Sequence, residues 1–318
     1  MLLLHCLEEN QRSQDRWHLP GKLLPKVEEG HLVLQAGTDG SFLMNDWSFS
    51  QLCGLAGVSK DTLNRLSLPT AAQAFRETIP IRDKPLQLLT DGQQLRSIHG
   101  TQYSRLWNSD LLTMLREYAT DFEPPPQGFN GGTGLYCGEQ DMFCFLIDPT
   151  GWTEINGQNF APGFFVWNSE VGRRSLGIET FWFQSVCQNH IVWDACEVIE
   201  FTRKHTGNVA ESLDDIRRII EQLVQKRDAR QESFAKVVSK AMSERVASDD
   251  EEAEKFLFKY GIPRQFVKAA IVKISEQGKM FTLWNLIDEL TQLNGEIRFA
   301  GSRTEADSKV SELLALAL

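Results

Sequence analysis

The sequence predicts an α+β protein: a central antiparallel β meander packed by a long helix, with helical N- and C-terminal regions. Three observations predict it. Between residues 135 and 201, short runs rich in Phe, Val, Ile and Trp follow one another with only brief turns between them. Parallel strands need a crossover of about a dozen residues, so this spacing favours antiparallel pairing. From Ser212 the apolar period changes to three and four, through Ile216, Ile219, Ile220, Leu223 and Val224, then Phe234, Val237, Val238, Ala241 and Met242. That pattern is compatible with one long helix ending at the acidic run Asp249-Asp250-Glu251-Glu252. Third, Pro124-Pro125-Pro126 is followed by Gly128, Gly131, Gly132 and Gly134, which marks a linker or mobile loop.

These landmarks divide the chain into an N-terminal hairpin and helical region (1–123), the linker or loop (124–134), the β meander plus long helix (135–248) and a C-terminal helical region (249–318). In the first, a hairpin is expected from 31–34 and 42–44 around Gly37-Thr38-Asp39-Gly40. Helical segments follow, then a charged strand at 95–99 and an amphipathic helix at 109–118 lined by Leu111, Leu112 and Leu115. In the meander, strands are expected at 135–147, 164–167, 175–187 and 191–201. Past 249, helices are expected from Pro263 and over 281–293, with the final stretch poorly fixed.

Apolar residues make up 42% of the chain and charged residues 24%, the balance of a globular protein with a real core. Net charge is −10, so a phosphate-bearing partner would need a local basic surface. Six cysteines are too sparse for a disulfide scaffold, and the opening Met1-Leu2-Leu3-Leu4-His5 lacks the cationic start of a signal peptide. A cytoplasmic location is therefore expected. No apolar stretch approaches the ~20 residues that span a bilayer, so no membrane partner is expected.

Few motifs carry chemistry. Residues 49–66, with Gly57 in the turn and Ser59 as cap of a second helix, have the outline of a helix-turn-helix whose Lys60, Asp61, Asn64 and Arg65 would face a groove. An ordinary helical hairpin needs the same glycine and cap, and is the favoured reading. Cys137 and Cys144 are seven apart on a strand, hence on opposite faces. Cys187, His190 and Cys196 cluster without a CxxC or HxxxH pair, so no metal and no cofactor are expected. No nucleophile elbow, phosphate loop or dinucleotide fingerprint is present in the sequence.

The turn Asn168-Ser169-Glu170-Val171-Gly172-Arg173-Arg174 is more suggestive, because Phe164, Phe165 and Trp167 precede it and Phe181, Trp182 and Phe183 follow. Arg203-Lys204-His205 closes the last strand, and residues 203–245 hold ten Lys or Arg against seven Asp or Glu. Basic groups beside aromatic faces suit single-stranded nucleic acid, through backbone attraction and base stacking.

The same residues carry a resemblance. Pro162-Gly163-Phe164, Val166-Trp167-Asn168-Ser169-Glu170-Val171-Gly172, Val186-Cys187-Gln188-Asn189 and Arg203-Lys204-His205-Thr206-Gly207 resemble the DUF932 family of phage- and plasmid-related proteins of unknown function. The 51–66 hairpin, the stretch from Arg96 through Tyr103 and Asp110 to Leu112, and 281–291 extend the likeness over most of 45–295. The resemblance implies a mobile-element setting, with DNA replication, recombination or counter-defence as the usual occupations, and supplies no catalytic residues. In outline, strands followed by a long helix are also similar to the core of single-strand annealing proteins.

The expected function is thus a non-enzymatic nucleic-acid-binding protein of phage or plasmid type, binding or annealing single strands as a homo-oligomer. Arg173, Arg174, Arg203 and Lys204 would hold phosphate, and Trp167 or Trp182 would stack on bases. The alternative is a protein-interaction or inhibitor module of a mobile element, to which the acidic balance is suited. An enzyme whose site is assembled from residues distant in sequence ranks third.

Overall fold

The computed structural model describes residues 1–126, 134–184, 190–193, 200–294, 297, 306–307, 309–310 and 312–318, with only the backbone of 190–193 and 200. The N-terminal region builds a sheet of its own. Helix α1 (Leu2–Arg12) runs directly into β1 (Ser13–His18), and β2 (Leu23–Glu28), β3 (His31–Ala36) and β4 (Ser41–Met44) follow as two hairpins, the second of them the expected one. Three helices, α2 (Asp46–Ala56), α3 (Lys60–Arg65) and α4 (Leu68–Thr78), then lead to β5 (Leu86–Asp91) and β6 (Gln94–His99). The strand order is β1-β5-β6-β4-β3-β2, antiparallel except for the β4–β6 pair. Leu34, Phe42, Leu88, Leu95 and Ile98 on one face bury Leu52, Cys53 and Phe75 of α2 and α4. Each of the three helices starts on a side-chain cap (Asn45, Ser59 and Ser67), which takes an N–H that the helix itself leaves unpaired. Between β5 and β6, Leu89 faces Ser97 while Thr90 faces Leu95. Arg96 is therefore the extra residue of a bulge, a device that re-aims a side chain.

The second sheet is antiparallel throughout the described residues. After α5 (Asn108–Tyr118) come β7 (Leu135–Cys137), β8 (Met142–Ile147), β9 (Thr153–Ile155), β10 (Gln158–Asn168), β11 (Leu176–Gln184), β12 (His190–Trp193) and β13 (Glu200–Arg203). The main path is β12-β11-β10-β8-β7, with β13 also on β11 and β9 also on β10. The meander expected from strand spacing is present, although 135–147 folds as the hairpin β7–β8 and not as one strand. One face carries Cys144, Leu146, Phe164, Val166 and Ile178 into a core shared with α1, α5 and α6 (Ser212–Gln225). The opposite face carries Phe143, Phe165, Phe181 and Phe183, packed on one another.

After α6 comes α7 (Arg227–Ser243), so the expected long helix turns at Lys226, where ψ is near 12°. The cause is packing. Ile216, Ile220 and Leu223 of α6 enter the sheet core, whereas Phe234, Val237 and Val238 of α7 enter a separate C-terminal core. A straight rod could not serve both. That second core is completed by α8 (Asp250–Lys259), α9 (Arg264–Glu276) and α10 (Leu283–Asn294), through Leu257, Ile271, Trp284 and Ile287. The acidic run does not end α7 but opens α8: the Asp249 carboxylate caps it, and Asp250, Glu251 and Glu252 lie at its positive end. Of the final stretch, Leu313, Leu314 and Ala317 are buried here, while 298–305, 308 and 311 lie outside the described residues. Nor does the break at 124–134 separate one core from another. Helix α5 before it packs on the sheet after it, and Glu123 and Ile147 exchange backbone hydrogen bonds of 2.9 and 2.8 Å. Among the described residues no helix is long and apolar enough to cross a membrane.

Candidate nucleic-acid interface

The β10–β11 turn and the end of β13 meet at one corner of the second sheet. Leu176 pairs with Arg203, so Arg173 and Arg174, just before Leu176, are brought beside Arg203 and Lys204 although about thirty residues separate them. Arg173, Arg203 and Lys204 are exposed. Arg174 is only partly so: its Nε lies 3.4 Å from Asp141, and its guanidinium covers the Phe143 ring. The backbone of the turn is held from within, since the Arg173 N–H donates to the Ser169 hydroxyl at 2.8 Å. The Arg173 guanidinium lies over the half-buried Trp47 indole, 5.3 Å from its centre. Trp47 belongs to α2 of the other sheet, and its Nε1–H donates to the Val171 carbonyl at 2.7 Å. No local signal marks Trp47, because its partners are far away in sequence.

Beneath this corner lies a buried polar junction that includes Glu170. Sequence order sets Glu170 beside the two arginines, yet its side chain turns inward. One carboxylate oxygen lies 3.2 Å from the bulged Arg96 and the other accepts the Asn108 N–H at 2.8 Å, at the start of α5. Arg96 also bonds Glu9 of α1 at 2.9 Å and the Ser13 hydroxyl at 3.0 Å. One guanidinium therefore ties together the N-terminal helix, both sheets and α5. Burial pushes the Glu170 carboxyl up from its ordinary value, and the neighbouring Arg96 opposes that shift. Alongside, Arg105 pairs with Asp15 through two nitrogens and also reaches the Glu170 carbonyl, to which the Tyr103 hydroxyl donates at 2.8 Å.

Tyr103 stacks with two histidines. The His99 ring lies parallel to it at 3.6 Å, and the His205 ring packs against it at 5.5 Å. Gly172, at a left-handed φ of 70°, closes the stack: a Cβ there would sit 2.7 Å from His99, so only glycine fits. Burial, then the positive Arg105, holds His99 down to about 3; burial likewise holds His205 down to about 4. Burial raises the Tyr103 phenol. None of these three groups titrates near neutrality, which is where a general acid or base works best. The junction is built as a clamp between the sheets.

The two tryptophans fare differently. Trp167 is half-buried, lies on Phe165 at 4.9 Å, and covers Gly177 so closely that a Cβ there would meet the indole at 2.2 Å. Trp182 is corrected to a core residue. It is fully buried, parallel to Phe234 at 4.1 Å, and offers no face to a base. Its side of the strand points to α7, so the alternating aromatics of β11 supply both faces of the sheet with packing. Cys187, Cys196 and the His190 side chain lie outside the described residues.

The 49–66 hairpin is formed by α2 and α3. The second helix has only six residues, buries Leu63 alone and presents Asp61 among its exposed groups, while Lys60 is tied to Asp46. A good bidentate base contact is worth roughly 1–3 kcal/mol. Changing Asn64 and Arg65 to alanine is expected to leave DNA affinity within about threefold, below that range. A larger, sequence-dependent loss in a binding titration would restore the base-reading role.

No family model, no curated protein and no solved structure matches the chain.

Proposed function

We propose that the protein binds single-stranded nucleic acid without acting on it chemically, through the basic corner of the second sheet. The supporting observation is that the β11–β13 register pairs Leu176 with Arg203, so the exposed Arg173, Arg203 and Lys204 stand at adjacent strand ends in a chain of net charge −10. Glu170, the nearest acid in sequence to Arg173, pairs with Arg96 instead. Trp47 under Arg173, with Trp167, supplies aromatic surface for bases. The phage or plasmid setting rests on the DUF932 resemblance, and annealing by an oligomer on the outline likeness to single-strand annealing proteins.

Binding should weaken with salt, by a log–log slope of about −0.7 per phosphate neutralised on single strands. Replacing Arg173 and Lys204 with alanine is expected to flatten that slope by about 1.4, two contacts, and to leave the unfolding curve unchanged. Arg174→Ala should do less, because Asp141 already holds that side chain. Absence of binding to single-stranded DNA or RNA at ~50 mM salt, where such contacts are strong, sinks the proposal. The protein-interaction module would then come first, favoured by the exposed Trp17, Leu24, Leu43 and Ile81 of the N-terminal region.

A further inference from the structure

Helix α1 turns a set of soft and borderline metal donors toward β7. His5 and Glu9 are one helical turn apart, on one face of α1. Their ligand atoms and the Cys137 Sγ all lie within 4.8 Å of one another. The Sγ of the fully buried Cys6 lies 3.6 Å from the Cys137 Sγ but is not one of that group. That separation is far from the ~2.05 Å of a disulfide, so Cys137 keeps its thiol.

The surroundings fit a bound cation. One Glu9 oxygen is fixed by Arg96 at 2.9 Å, while Oε2 is buried with no hydrogen-bond partner. The Asn108 amide donates toward the Cys137 sulfur at 3.8 Å, and Asn168 orients that amide from behind at 2.8 Å. Such outer contacts are how proteins hold a metal-bound thiolate. His5 is exposed, so its ring can swing in to close the site from the solvent side.

We propose that His5, Glu9 and Cys137 form a site for one zinc-class divalent cation. A thiolate, an imidazole and a carboxylate select such an ion over magnesium or calcium. Binding expels the Cys137 thiol proton and forms one metal–thiolate bond, with no change of oxidation state. One thiolate and one carboxylate balance the charge of the dication. With three protein ligands the fourth position is left to water, and the site pins α1 to the second sheet. It is independent of the basic corner.

The test uses the full chain, stripped with chelator under reductant and titrated with Co²⁺. One equivalent should give a thiolate-to-cobalt charge-transfer band and the strong visible bands of a tetrahedral ion, and Zn²⁺ should bleach both. Cys137→Ser should abolish the charge-transfer band, whereas Cys53→Ser, in the other sheet's core, should leave it intact. His5→Ala touches only an exposed side chain and should weaken Co²⁺ binding by at least about tenfold. The site is overturned if Co²⁺ gives no such band, if the band survives Cys137→Ser, or if His5→Ala leaves affinity unchanged. A Cys6–Cys137 disulfide that persists in metal-saturated protein would overturn it as well.

Discussion

Arg96→Met is expected to destabilise the protein by roughly 3–5 kcal/mol, the cost of breaking a buried ionic cluster by removing one partner. Arg96 is 5% exposed and holds two carboxylates, Glu9 and Glu170, the latter 2% exposed. Methionine keeps most of the side-chain volume, so the loss reports charge and hydrogen bonding and not a cavity. Without the guanidinium, Glu170 keeps only the Asn108 N–H, and must take up a proton or draw in water. Urea unfolding followed by far-ultraviolet dichroism measures the cost as a lowered midpoint. Glu170→Gln should cost less, because the amide oxygen can still accept the Asn108 N–H and Arg96 retains Glu9. The triple change Arg96→Met, Glu9→Gln and Glu170→Gln should recover some of the loss, since removing all the charges is gentler than stranding two. A single Arg96→Met variant within about 1 kcal/mol of the parent would mean that the junction is wet and the clamp is not one.

How much of this was legible follows from the range of the interactions. Elements whose cause is local were readable: the 49–66 hairpin from its glycine and Ser59 cap, α9 from Pro263, and α10 from the apolar period over 281–293. The meander was readable from strand spacing, because antiparallel strands need only short turns. The bend at Lys226 was not, because each half of the helix has a sound apolar face and only the two separate cores divide them. The first six-stranded sheet was seen only partially, because Ser13–His18 is a mostly polar strand with one buried residue and gives no alternation. Trp182 and Trp167 look alike in sequence, and only the helix packed over β11 separates a core ring from a half-exposed one. Short-range cysteine spacing cannot see Cys6 and Cys137 meeting across 131 residues. Arg96 and Glu170 were equally silent, since each is an ordinary surface residue type until a bulge and a tight turn aim one at the other.

Acid should open the junction through its histidines. In the folded protein His99 is held down to about 3 and His205 to about 4, chiefly by burial, against an ordinary value of 6.5. The sign follows from proton counts. Below pH 6.5 the unfolded chain binds both protons while the folded chain binds neither, so stability is whole above 6.5 and falls as pH drops toward 4. Two such groups give a limiting slope of about 2.7 kcal/mol per pH unit, and about 3 kcal/mol lost between pH 6.5 and 5. Glu170, whose carboxyl is raised, works the other way just above its unfolded value, so the histidine contribution is best taken as a difference between proteins. His99→Gln with His205→Gln should flatten the pH profile of unfolding free energy over that window, and each single change should remove about half of the slope. Nuclear magnetic resonance offers a second reading: two of the six histidines should fail to titrate until the protein unfolds. Parallel profiles for parent and double variant, or six histidines titrating near 6.5, would show that the rings stacked on Tyr103 are open to water and that the clamp between the sheets is insensitive to acid.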